Sequence, residues 1–87
     1  MEIITYVLMY VGNVAAVIRA VDVAELETKL KTAIIEEVGA EIDGQFRLDI
    51  DNDNLDWGET SDIKTSYVQD GFLIEDNEFT LTKTVSY

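Results

Sequence analysis

Apolar residues recur along this chain in three rhythms, and each rhythm predicts a different element. Over residues 3–11 both alternating sets are apolar and rich in Ile, Thr, Tyr and Val. That is the pattern of a strand buried on both faces. Gly12 and Asn13 have the composition of a two-residue hairpin turn, after which residues 14–21 return as a second strand, Val14, Ala16 and Ile18 against Ala15, Val17 and Arg19. Val14, Val17, Ile18 and Val21 also fit a helical repeat, and two alanines weaken the strand preference, so both conformations stay open there.

A helix follows, starting at Val23. Asp22 is a good N-cap, Glu25 stands in the capping-box position, and Val21 with Leu26 completes a hydrophobic staple. Leu26, Leu30, Ala33, Ile34 and Val38 form one apolar face, and Gly39 supplies a left-handed C-cap. A one-sided stripe must lie on something flat, which the strand-rich remainder provides.

Beyond Gly44, Phe46, Leu48 and Ile50 alternate with Gln45, Arg47, Asp49 and Asp51, the period of a strand with one wet face. Residues 52–60 read as a loop around Trp57, and residues 63–69 as a strand. Asp70 and Gly71 then make a tight turn, residues 72–75 a short strand, and Asp76 and Asn77 a second turn. In the last strand Phe79, Leu81, Val85 and Tyr87 oppose Thr80, Thr82, Thr84 and Ser86, with Lys83 breaking the apolar side as an edge guard. The expectation is a single domain over residues 1–87. Its class is α+β, a single helix packed on an antiparallel sheet of about four to six strands in the order β-β-α-β-β-β.

Composition supports folding: 47% of residues are apolar and 28% charged, unlike disordered acidic tails. With no cysteine there is no disulfide framework or thiolate site. The uncharged run over residues 3–18 lacks a basic n-region, is interrupted by Gly12, and is shorter than the ~20 residues that span a bilayer. A cytoplasmic protein with no membrane association is therefore expected.

Charge changes the picture most. Eighteen acids against six bases give a net charge of -12, which repels phosphates and anionic membranes and attracts cationic protein surfaces. Residues 1–40 hold six acids and three bases, net -3, and residues 41–87 hold twelve and three, net -9. Direct nucleic-acid binding is disfavoured, and a basic protein partner is favoured. Between Asp49 and Asp62 lie Asp49, Asp51, Asp53, Asp56, Glu59 and Asp62, with no Lys or Arg among them. On an extended segment Asp49, Asp51 and Asp53 project to one side at ~6.7 Å intervals. Such a row is similar in charge and spacing to the phosphate backbone that a nucleic-acid-binding groove accepts.

The candidate partner-binding set is thus Asp49, Asp51, Asp53, Asp56, Trp57, Glu59 and Asp62, and the expected partner is a Lys/Arg-rich protein, in the sharpest form a nucleic-acid-binding enzyme. Trp57 is also read as a residue that tucks the loop against the core, the usual fate of a lone tryptophan in a small domain. In size, acidity and fold class the chain resembles phage and mobile-element inhibitors of host nucleic-acid enzymes, a likeness of class with no shared motif. The alternative is a small homo-oligomeric or assembly domain pairing through the apolar N-terminal hairpin or the final strand, its acidity serving only solubility.

A third reading is calcium binding. Asp49, Asp51 and Asp53 occupy positions 1, 3 and 5 of the EF-hand loop pattern, but Asn54, Asp56 and Thr60 stand where Gly, an apolar residue and a bidentate Glu belong. Only a looser calcium site is compatible with that, so no metal ligand is assigned. An enzyme is not expected, since His and Cys are both absent and the acids lie outside any apolar pocket that would separate their pKa values. No glycine-rich phosphate loop is present, and no cofactor is expected.

Overall fold

The computed structural model describes residues 2–39, 45–52 and 54–84. The chain runs β1 (Ile4–Tyr10), β2 (Asn13–Ala20), α1 (Val23–Val38), β3 (Phe46–Ile50), β4 (Thr60–Gln69) and β5 (Phe72–Thr84). The strands form one antiparallel sheet in the order β2-β1-β5-β4-β3 with the helix on one face, an α+β fold. Residues 14–20 are strand, so the tie between strand and helix is resolved by pairing with β1. Among the described residues no helix is long and apolar enough to cross a membrane.

Capping fixes the helix ends as the sequence predicts. The Asp22 carboxylate accepts the Glu25 N–H at 2.8 Å, and Gly39, at φ 64°, donates its N–H to the Ile35 carbonyl at 3.1 Å. Leu26, Leu30 and Ile34 point into the core with Leu8, Ile18, Ala20, Leu55, Ile63, Phe79 and Leu81. Each of these Leu, Ile and Phe side chains contributes roughly 1.5–3 kcal/mol by leaving water. In β1 the successive residues Val7 and Leu8 are both buried, as the double apolar pattern requires of a strand flanked on both sides.

Three local expectations need correction. The first turn is Val11–Gly12, both at positive φ (51° and 81°), and Asn13 is already paired with Tyr10. A two-residue type I′ hairpin needs two such residues, and Gly12 and Asn13 would have shifted the pairing by one place. Next, Asp76 and Asn77 make no turn: β5 continues through them. Their local chemistry is present, since the Asp76 carboxylate accepts the Glu78 N–H at 2.9 Å. It produces a bulge, in which Ile63 pairs with Phe79 while Thr65 pairs with Asp76. Finally, Lys83 guards no edge, because β5 is the central strand. Val85, Ser86 and Tyr87, placed in the last strand by the sequence pattern, lie outside the described residues.

Candidate functional site

The face of the sheet turned away from the helix is built by simple alternation from the core positions. Arg47 and Asp49 on β3 face Ser66 and Lys64 on β4; Thr60 and Asp62 face Thr82 and Thr80 on β5; Thr80, Thr82 and Thr84 face Met9, Val7 and Thr5 on β1; Val7 and Met9 face Val17 and Val14 on β2. This open face therefore divides into an apolar half over β2 and β1 and a charged half over β4 and β3. A threonine ladder separates them, and within it the Thr60 and Thr82 hydroxyls lie 2.7 Å apart.

The structure splits the predicted acidic row. Asp49 stands directly opposite Lys64, with Arg47 two residues back on the same strand, so cations interrupt the row. Neither cation comes within the 4 Å of an ion pair with Asp49. One step on, the Asp51 N–H donates to the Asp62 carbonyl at 3.0 Å, which extends the register and sets Asp51 against Asp62. Asp53 lies outside the described residues.

Asp56, Trp57 and Glu59 belong to a different layer. Their loop is held by Gly58 N–H to the Lys83 carbonyl (2.7 Å) and Lys83 N–H to the Glu59 carbonyl (3.1 Å). The Glu59 carboxylate closes it internally by accepting the Asp56 N–H at 2.7 Å. Lys83 shares the helix side of β5 with Phe79 and Leu81, and its ammonium donates to the Leu55 carbonyl at 3.2 Å and sits 4.5 Å above the Trp57 ring. The residue that tucks this loop into the core is Leu55, 7% exposed, whereas Trp57 is 48% exposed. The expectation that Trp57 is the buried anchor is thus corrected: Leu55 takes the core, and Trp57 forms a half-open shelf under the Lys83 ammonium.

Charge is partitioned between display and fastening. Of the fifteen described carboxylates none is buried, and all but Glu25 and Asp76 are exposed. Three of the four lysines are engaged within the molecule. Lys29 bridges to Glu25 at 3.0 Å and donates to the Arg19 carbonyl at 2.6 Å; Lys31 lies over Phe46; Lys83 straps the loop. Near the bulge, the Tyr10 hydroxyl donates to Asp76 at 3.4 Å. The Asp76 charge, burial and the Glu78 charge push its pKa up, and burial followed by Asp76 does the same to Tyr67. Among the described residues no three acidic side chains converge as metal ligands.

Sequence reasoning missed one exposed feature. Phe72 and Leu73, 72% and 65% exposed, stand at the tip of the β4–β5 hairpin, where β5 has run beyond its pairing with β1. Two bulky residues directly after a tight turn are the signal, since consecutive strand positions face opposite ways. Asp62 lies seven positions away along β4, roughly 23 Å, so this tip is a separate surface. No known family, curated protein or solved structure matches the chain.

Proposed function

We propose that this domain is a non-enzymatic cytoplasmic binding protein that docks onto a Lys/Arg-rich protein surface, its contact centred on the acidic pair Asp51 and Asp62. The observation that carries the proposal is that the Asp51 N–H donates to the Asp62 carbonyl at 3.0 Å, one step beyond the Ile50–Ile63 pair, which sets the two acidic residues opposite one another at the end of β3. Like charges opposite one another destabilise a sheet, by roughly 0.7 kcal/mol at ~5.5 Å in water before screening. A cationic partner turns that cost into attraction. Nearby Asp49 stands opposite the cation Lys64 and contributes less.

The partner class proposed is a nucleic-acid-binding enzyme, whose groove accepts paired anions at phosphate-like spacing. Long-range attraction would speed the encounter and salt would weaken it. The test is capture by immobilised protein from lysate at low and high salt, with identification of what is retained and competition by duplex DNA. The expected result is a nucleic-acid-binding protein released by salt, displaced by DNA and lost with Asp51→Asn/Asp62→Asn. Capture that survives the double substitution, or resists DNA, rejects the reading.

A further inference from the structure

The strongest unassigned surface lies beside the exposed tip of the β4–β5 hairpin. β5 pairs with β4 over residues 72–82 but with β1 only over residues 79–84, beyond which the Val11 N–H reaches the Glu78 carbonyl at 3.3 Å. Among the described residues no strand lies against residues 72–77 on that side. The turn fixes which backbone groups are left there. Asp70 and Gly71, both at positive φ (52° and 79°), make a two-residue hairpin, so Gln69 and Phe72 form its first hydrogen-bonded pair. By alternation Ile74 bonds toward Tyr67, while the N–H and C=O groups of Leu73 and Glu75 point away from β4. The vacant flank is thus roughly 20 Å long, with the β1–β2 turn at one end and Phe72 and Leu73 at the other.

Where β1 stops, a cavity of about 390 Å³ opens on this flank, lined by Tyr10, Glu75, Asp76, Asn77 and Glu78. Among the described residues its lining holds three carboxylates and no cation. Asp76 is fastened, accepting the Tyr10 hydroxyl at 3.4 Å and the Glu78 N–H at 2.9 Å, whereas the Glu75 and Glu78 side chains are exposed and in no ion pair. Arg47 and Lys64 share a separate cleft with Glu75 on the open face, and neither bridges to it. Tyr10 registers the local field, its pKa raised by the Asp76 charge, then burial, then the Glu78 charge.

We infer that this flank accepts an extended segment of a partner protein in which basic residues alternate with apolar ones, added as a short strand beside β5. Each property of the occupant comes from a different observation. Outward backbone groups in a row pair with an extended chain. The carboxylates at the end of β1 select Lys or Arg side chains, and Phe72 and Leu73, 72% and 65% exposed, offer apolar contact at the outer end. An anionic membrane surface does not fit, because Glu75, Glu78 and a net charge of -12 repel its headgroups. This surface is separate from the Asp51 and Asp62 docking pair and does not rest on it.

The probe is a capped heptapeptide of alternating lysine and valine, titrated into the isotopically labelled protein and followed by amide shifts and hydrogen exchange. Binding is expected to shift the amides of residues 72–78 and to protect those of Leu73 and Glu75. The same peptide methylated on alternate backbone nitrogens keeps its charge and loses its ladder, so its affinity should fall roughly tenfold or more. Glu75→Gln/Glu78→Gln, at exposed positions, should weaken binding roughly three- to tenfold at low salt, with an amide spectrum unchanged elsewhere as the check on folding. Asp51→Asn/Asp62→Asn should leave it unaltered, which keeps this test distinct from that of the docking pair. Absence of binding overturns the proposal. Equal binding of the methylated peptide, shifts confined to the surroundings of Asp51 and Asp62, or indifference to Glu75→Gln/Glu78→Gln overturns it as well.

Discussion

The two edges of the sheet answer the same problem in opposite ways. β3 is five residues long and alternates Arg47 and Asp49 outward, so a foreign strand would have to desolvate charges for a short ladder. β2 is eight residues long and carries one charge, and the Lys29 side chain reaches down to the Arg19 carbonyl on it. One edge is guarded by its charged side chains and the other by a lysine bonded to a strand carbonyl and bridged to Glu25. The same exposed-edge problem is thus met by charge on β3 and by a lysine donor on β2.

Both edges hang from the same helix, which packs against β2 and β3, and this is where the comparison breaks most severely. Leu30→Ala, at a fully buried position, should cost about 2–5 kcal/mol in denaturant unfolding. A loss below about 1 kcal/mol would mean that α1 does not hold the edges. Within the β2 hairpin, Val11 is a β-branched residue at φ 51°, a conformation costing roughly 1–2 kcal/mol outside Gly, Asn and Asp. Val11→Asn should therefore raise stability by about 1 kcal/mol, measured as a higher denaturation midpoint with an unchanged slope. A decrease would show that the Val11 side chain contributes contacts that outweigh the strain.

Between the edges, Tyr10 and Tyr67 have pKa values raised in the folded state by Asp76 and burial. The folded protein holds these protons more tightly than the unfolded chain, so the tyrosines' contribution to stability is constant below about pH 10 and is lost as pH rises through the higher folded values. Tyr10→Phe should flatten part of that alkaline fall in pH-dependent melting. An identical profile would remove Tyr10 from it. The smallest effect sharpens the acidic side. Asp51→Asn should stabilise by a few tenths of a kcal/mol and lose that gain in high salt, whereas Asp49→Asn, facing Lys64, should change stability in the opposite direction.

Legibility in the sequence followed the range of the interaction. The helix was readable to its ends because Asp22, Glu25 and Gly39 act on backbone groups within one turn. The order of elements along the chain was readable because alternation is local, whereas their order in the sheet was not. At Asp76 and Asn77 the local chemistry was also correct, but the same carboxylate-to-amide bond serves a turn and a bulge, and the choice lies with the partner strand. Leu55 and Trp57 were misranked because size favours the tryptophan, while the position of Lys83 on β5 decides which of them is held over the sheet. That Asp51 meets Asp62, and that Lys64 interrupts the row, depended on a register across a loop, which charge spacing along one strand does not contain.

The pairing of β1 with β5 also governs how the molecule is made. Thr5 meets Thr84, so the first hairpin waits through synthesis of almost the whole described chain with hydrogen-bonding groups open on both flanks. Such late closure makes for slow folding. In that interval the newly made hairpin is most open to strand exchange between neighbouring chains.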